Sequence, residues 1–114
     1  RDEKGEIRLV VSADSLFYIE ASDNYVDIHY LNKGKLVSFL LRNSLKNIEK
    51  EFFERKLLRC HRSFIVNLNK VKIVRKTEDG LCIDFDFDGV PNIPISKTYS
   101  GRILEQFSSL NIEP

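Results

Sequence analysis

Between residues 55 and 77 the chain reads RKLLRCHRSFIVNLNKVKIVRKT, in which Arg55, Lys56, Arg59, Arg62, Lys70, Lys72, Arg75 and Lys76 occur without an Asp or Glu among them. The whole chain has a formal net charge of only +1, so this basicity belongs to one region and points to a polyanionic partner. Leu57, Leu58, Cys60, Phe64, Ile65, Val66, Val71, Ile73 and Val74 are interleaved with the cations, the pattern of ordered, half-buried strands rather than a floppy tail. Cations held on a rigid frame can track phosphates, and phosphate neutralisation is the sequence-independent part of nucleic-acid affinity. The alternative is a basic protein-interaction or anionic-membrane-binding module, which would use the same charges without discriminating between duplex sequences.

Catalytic chemistry has less support. His29 and His61 could form an acid and base pair of the ribonuclease kind, and Cys60 beside His61 could be an activated thiol. Neighbouring residues of a strand face opposite ways, however, so Cys60 and His61 cannot meet side chain to side chain in an extended segment. No Gly-rich phosphate loop, paired-carboxylate arrangement or metal-ligand spacing is present. The expectation is a non-enzyme without cofactor or metal. Cys60 and Cys82 lack a CxxC partner and read as packing residues rather than a disulfide.

The frame that must carry the basic segment is one small domain. The chain has 114 residues, 42% of them hydrophobic, enough for a core in thin layers and too apolar for intrinsic disorder. No apolar run approaches the roughly 20 residues a bilayer span needs, and the opening RDEKGE is not a signal peptide. The chain reads as cytoplasmic. It contains no Met and reads as a piece of something longer, with an N-terminal partner domain outside it.

Residues 1–6 read as a linker end, 7–110 as the domain and 111–114 as a tail. Ile7 to Val11 has strand character. Leu16 to Ile19 forms a buried strand broken by Ala21-Ser22-Asp23-Asn24, and Tyr25 to Leu31 pairs with Lys35 to Leu41 through a turn at Asn32-Lys33-Gly34. Asn43 or Ser44 caps a short helix with Leu45, Ile48 and Phe52 on its apolar side, ending near Phe53. Leu57 to His61 returns to strand, Asn67-Leu68-Asn69 turns, and Val71 to Arg75 pairs through Glu78-Asp79-Gly80 with Leu81 to Phe87. Pro94 restricts Ile93 to Ile95 to a sheet edge or a strand end. Ile103, Leu104, Phe107 and Leu110 mark a C-terminal amphipathic helix that begins near Ser96 or Thr98. The architecture is mainly β with one internal and one terminal helix.

The phrases SLFYIEASDNYVDIHY, RNSLKNIEKEF, LLRCHRSFIVNLNKV and IPISKTY, in this order and at these separations, closely resemble the LytTR DNA-binding domain of bacterial response regulators. The resemblance runs from about Ile7 to Phe107, and Arg59-Cys60-His61-Arg62-Ser63-Phe64-Ile65-Val66-Asn67 is its most specific part. It implies an elongated antiparallel β-β-β sandwich with short helices attached. It also implies sequence-specific binding of double-stranded DNA by loops entering successive major grooves, as the output domain of a two-component transcriptional regulator. Repeated half-sites, a dimer on DNA and a phosphorylated N-terminal receiver would complete that picture.

Aligned by motif, the resemblance places base contacts at Asn24 and Tyr25 in the first loop, at Arg62 in the second and at Lys97 in the third. Arg62 is the most persuasive chemically, because a guanidinium can donate two parallel hydrogen bonds to guanine O6 and N7. Many relatives have Arg where this chain has Lys97, and an ammonium lacks the planar fork, so Lys97 suits a phosphate as well as a base. His61, Ser63, Lys72, Arg75, Ser96 and Tyr99 are expected phosphate contacts, with His61 also able to hold the loop that presents Arg62. Tyr25 could instead be a packing residue, Asn24 an ordinary turn former, and the two serines turn or cap residues.

Overall fold

Alternating and continuous apolar runs build two antiparallel sheets in the computed structural model, which describes residues 15–51 and 57–107. Strands β1 (Leu16–Ser22), β2 (Tyr25–Asn32) and β3 (Lys35–Arg42) are followed by helix α1 (Leu45–Glu51). Strands β4 (Leu57–His61) and β5 (Phe64–Asn67) come next, then a 3-10 turn over Leu68–Lys70, β6 (Val71–Thr77), β7 (Gly80–Phe85), β8 (Ile93–Ile95) and helix α2 (Lys97–Phe107). Sheet order is β3-β2-β1-β5-β4 in the first sheet and β6-β7-β8 in the second. The expected strand at Ile7 to Val11, and Phe52, Phe53, Arg55, Lys56 and Leu110, lie outside the described residues.

The two faces of the five-stranded sheet bury different sets of residues. Leu16, Ile19, Val26, Ile28, Leu41, Leu57 and Ile65 meet Leu45 and Ile48 of α1 in one core. Phe17, Tyr18, Cys60 and Val66 meet Val74, Ile83, Phe85, Ile93 and Ile95 of the second sheet and Ile103 of α2 in the other. The chain thus stacks a helix, a sheet and a second sheet, with principal extents of 45 × 30 × 24 Å. Phe17 and Tyr18 are adjacent yet both belong to the second core, because the β1–β2 register shifts between Leu16 and Tyr18. Such a bulge turns consecutive side chains towards the same side.

Local chemistry explains most boundaries. Lys33 and Gly34 take φ 53° and 81°, the left-handed pair that a two-residue hairpin demands and that glycine adopts without strain. At α1, Ser44 is the cap: its Oγ accepts the Asn47 N–H at 3.2 Å, and Asn43 Oδ1 accepts the Ser44 N–H at 2.8 Å, satisfying donors the helix start leaves open. Asn67 is buried, donating Nδ2 to the Leu16 carbonyl at 2.8 Å while its Oδ1 accepts the Asn69 N–H at 3.0 Å. One side chain therefore joins β1 to the turn after β5. Pro94 lies in β8, at an edge of the second sheet, where its missing N–H costs no ladder bond.

Two expectations shift. Ala21 and Ser22 extend β1 instead of breaking it, since they pair with Val26 and Tyr25 and leave only Asp23 and Asn24 for the turn; Asp23 supplies φ 57°, a conformation Asp tolerates better than most residues. Strand β7 stops at Phe85 rather than Phe87. Phe87 still packs inward, its ring 5.6 Å from that of Phe17.

Candidate nucleic-acid interface

Strand direction carries three chain segments to one end of the molecule. The β1–β2 turn at Asp23 and Asn24 lies next to the β4–β5 turn at Arg62 and Ser63, because the Ala21 N–H donates to the Ser63 carbonyl at 2.9 Å and Glu20 pairs with Phe64. The start of α2 joins them from the second sheet, with the Ser96 N–H donating to the Cys60 carbonyl at 3.0 Å. Ser96 in turn accepts the Tyr99 N–H at 3.0 Å, making Lys97 the first residue of the helix. Asn24, Tyr25, Arg62 and Lys97 are all exposed. Four residues that the family resemblance separates by more than seventy positions are thus presented on neighbouring tips.

Arg62 has its backbone tied down and its side chain outside. Its carbonyl accepts from Arg59 Nη2 at 2.8 Å, whereas its guanidinium meets no ion-pair or hydrogen-bond partner among the described residues. Arg59, only three positions away, does the opposite. Its side chain is 15% exposed, with Nε donating to the His61 carbonyl at 3.0 Å and Nη1 to Glu49 Oε1 of α1 at 2.8 Å. His61 closes the turn from within: Nδ1 accepts the Ser63 N–H at 3.1 Å, leaving Nε2 as the ring's donor, and the ring meets the edge of Phe64 at 5.6 Å.

Tyr99 is half-buried on α2 between two guanidinium groups, 5.7 Å from that of Arg59 and 5.9 Å from that of Arg102, within the range of cation–π attraction. Glu49 also accepts from Arg102 Nη1 at 3.4 Å. Arg102, 52% exposed, and Arg42, exposed at the end of β3 opposite Tyr25, add cations to the flanks of the tips. Sequence reasoning missed both because neither lies in the basic run. The register of the Lys33-Gly34 hairpin holds the signal for Arg42, since pairing of Asn32 with Lys35 propagates to Tyr25 with Arg42.

Lys72 and Arg75 lie on the second sheet, Arg75 level with Pro94 near the tips and Lys72 farther away. Both are on β6, where Lys76 aligns through Leu81 with Ile95, next to the tips. Lys72 is four residues earlier, or about 13 Å along the strand, towards the far end of the second sheet. Arg75 donates Nε to Asp84 Oδ2 at 2.8 Å and Nη2 to Oδ1 at 3.0 Å. These hydrogen bonds hold the Asp84 carboxyl below the usual aspartate range and commit part of the arginine's donor capacity within the protein.

The cysteine and histidine arrangement offers no nucleophile. Cys60 is fully buried, and burial pushes its thiol up to about 12, so the thiolate is scarce at neutral pH. His29 stacks on Tyr18 at 4.2 Å, and the rings of Tyr18 and Phe64 stand between it and His61. No helix among the described residues is long and apolar enough to cross a membrane.

A family model described as the LytTr DNA-binding domain matches residues 7–108. This chain belongs to the LytTR family of DNA-binding domains. The LytTr domain of a Bacillus cereus response regulator has the same fold, with a TM-score of 0.70, 25% sequence identity and 83% of each chain covered. An uncharacterized response regulatory protein of Vibrio cholerae is 29% identical over 77 residues, which are 68% of this chain and 30% of that protein's length. The matched segment therefore covers less than a third of that relative. The mainly β architecture with two helices agrees with the sequence-based expectation.

Proposed function

We propose that this LytTR domain binds double-stranded DNA sequence-selectively as the output module of a response regulator, its β1–β2, β4–β5 and β8–α2 tips reading successive major grooves on one face of the duplex. The observation that carries this reading is the convergence of the three tips through the Ala21–Ser63 and Ser96–Cys60 backbone hydrogen bonds. Asn24, Tyr25, Arg62 and Lys97 are the base readers. The hydroxyl groups of Ser63 and Ser96, together with His61 and Tyr99, flank them and suit phosphate oxygens, which fix register rather than sequence. Lys72 and Arg75 add attraction at longer range from the second sheet. Repeated half-sites occupied by two copies would raise a modest single-domain affinity to a regulatory one. A receiver domain preceding this one would supply the signal, in the cytoplasm and without metal or cofactor.

Selection of bound sequences from a random duplex pool, followed by mobility shifts on the selected and a scrambled duplex, tests the reading. The expected result is an enriched motif that the scrambled duplex loses. Equal affinity for every duplex, together with tight binding to anionic vesicles, would favour a general anion-binding module instead. Within the same assay Lys97→Ala should weaken binding, and if Lys97 sits on a phosphate the log–log salt dependence should become shallower by about one unit.

A further inference from the structure

Arg59 and Arg62 are close in sequence and chemically identical, yet the structure gives them opposite environments. We propose that Arg59 is the positioning residue for base reading by Arg62, acting as a clamp that fixes the β4–β5 turn; the inference rests on the function proposed above and assigns a division of labour within it. The Arg59 guanidinium reaches the carbonyls of His61 and Arg62, on both sides of the Arg62 N–H, and the carboxylate of Glu49 on a different element. Planar, fixed donors on one side chain thereby set two successive peptide orientations at the tip. Glu49 carries the second half of the device. Its other oxygen accepts from Arg102, so the carboxylate ties β4 to α2, the helix whose first residue is Lys97. The spacing between the second and third tips is thus braced by a partly exposed bridge, with the Tyr99 ring close to both guanidinium groups.

A clamp of this kind has little surface to offer a duplex: the Arg59 side chain is mostly buried, and each of its three nitrogens donates to a protein acceptor. Its effect on binding must pass through Arg62. Arg62 itself keeps its guanidinium outside, and its long side chain has rotamer entropy to lose. Holding its backbone in one orientation reduces what remains to be ordered when a guanine is met.

Arg59→Lys separates the clamp from the charge, because an ammonium can still face Glu49 but cannot fork to both carbonyls. In the free domain, nitrogen relaxation should show the Arg62 and Ser63 amides gaining fast motion while those of β1, β5 and α1 are unchanged. On DNA, Arg59→Lys should lower the ratio of affinities for the selected and scrambled duplexes by roughly tenfold while leaving the scrambled affinity within about twofold, as expected for a residue that makes no phosphate contact of its own. The double variant Arg59→Lys, Arg62→Ala should be no worse than Arg62→Ala alone. Glu49→Gln, which keeps the shape and weakens the anchor, should change the ratio in the same direction. The proposal is overturned if the amides of the turn stay rigid, if both duplexes lose affinity equally, or if the two substitutions add. Should the unaltered domain bind all duplexes alike, the DNA-reading proposal fails, and the relaxation comparison still decides whether Arg59 holds the turn.

Discussion

Arg62→Ala should abolish most of the preference for the selected duplex and leave the domain as stable as before. The side chain is exposed at a turn whose shape is held by its own carbonyl and by neighbours: Arg59 reaches the residue 62 carbonyl, and His61 holds the Ser63 N–H. Alanine keeps all of these backbone partners. What disappears is an exposed guanidinium, whose paired donors, under the proposed reading, would match guanine O6 and N7 for about 1–3 kcal/mol of discrimination. The affinity ratio between selected and scrambled duplexes should therefore fall by roughly 5- to 150-fold, with an unchanged melting temperature. Residual binding should stay salt-dependent through Lys97 and the flanking cations. Competition mobility shifts provide the ratio. A retained preference would remove Arg62 from the reading set.

Ile83→Ala should cause the largest loss of stability among the changes considered. Ile83 has no exposed surface and stands on β7, the central strand of the second sheet, among Phe17, Val74, Ile93, Ile95 and Ile103. Truncation removes the transfer free energy of three carbons and leaves a void that strands paired on both sides cannot close, for a cost of about 2–5 kcal/mol. Against a total stability on the order of 5–15 kcal/mol, that loss is large. Ile83→Val, which removes one methylene, should cost about 0.5–1.5 kcal/mol. Urea unfolding midpoints would show both, and a cost below about 1 kcal/mol for Ile83→Ala would mean that the second sheet contributes less to the core than its burial implies. DNA binding should fail in this variant only in proportion to the unfolded fraction, unlike Arg62→Ala.

Local signals were readable where short-range chemistry decides. Asn32-Lys33-Gly34 announces a hairpin because its glycine takes a left-handed turn position without strain. Ser44 announces a cap through its hydroxyl, Pro94 an edge strand through its missing donor, and Leu57 to His61 a strand through its pattern. The separate strand from Phe64 to Asn67 and the extension of β1 through Ser22 were less legible. Turn-forming residues such as Ala21 and Ser22 remain extended when a partner strand supplies their hydrogen bonds, and that partner is a tertiary fact.

Site residues divided in the same way. The basic run and the motif around His61 pointed to Arg62, but composition cannot tell an inward arginine from an outward one. Arg59 is turned in because His61 and Arg62 carbonyls and Glu49 lie within its reach, and Glu49 comes from a helix ten residues earlier. Arg75 presented the same difficulty: its pairing with Asp84 depends on the β6–β7 register, which shifts between Val71 and Ile73. Arg42 and Arg102 reach the tips only because β3 and α2 bring them there. Charge along the sequence locates a basic face roughly, whereas strand direction decides which cations share it.

Under the proposed function, the Asn24, Arg62 and Lys97 tips act as one reading edge. Titrating the selected duplex into the isotope-labelled domain and following backbone amide shifts tests it most directly. The largest changes are predicted at Asn24, Tyr25, Arg62, Ser63, Lys97 and Thr98, with little at Lys33 and Gly34, whose turn lies at the opposite end of the β2–β3 hairpin. Changes concentrated at Lys33 and Gly34, or along β6 with silent tips, would place the DNA contact elsewhere on the domain.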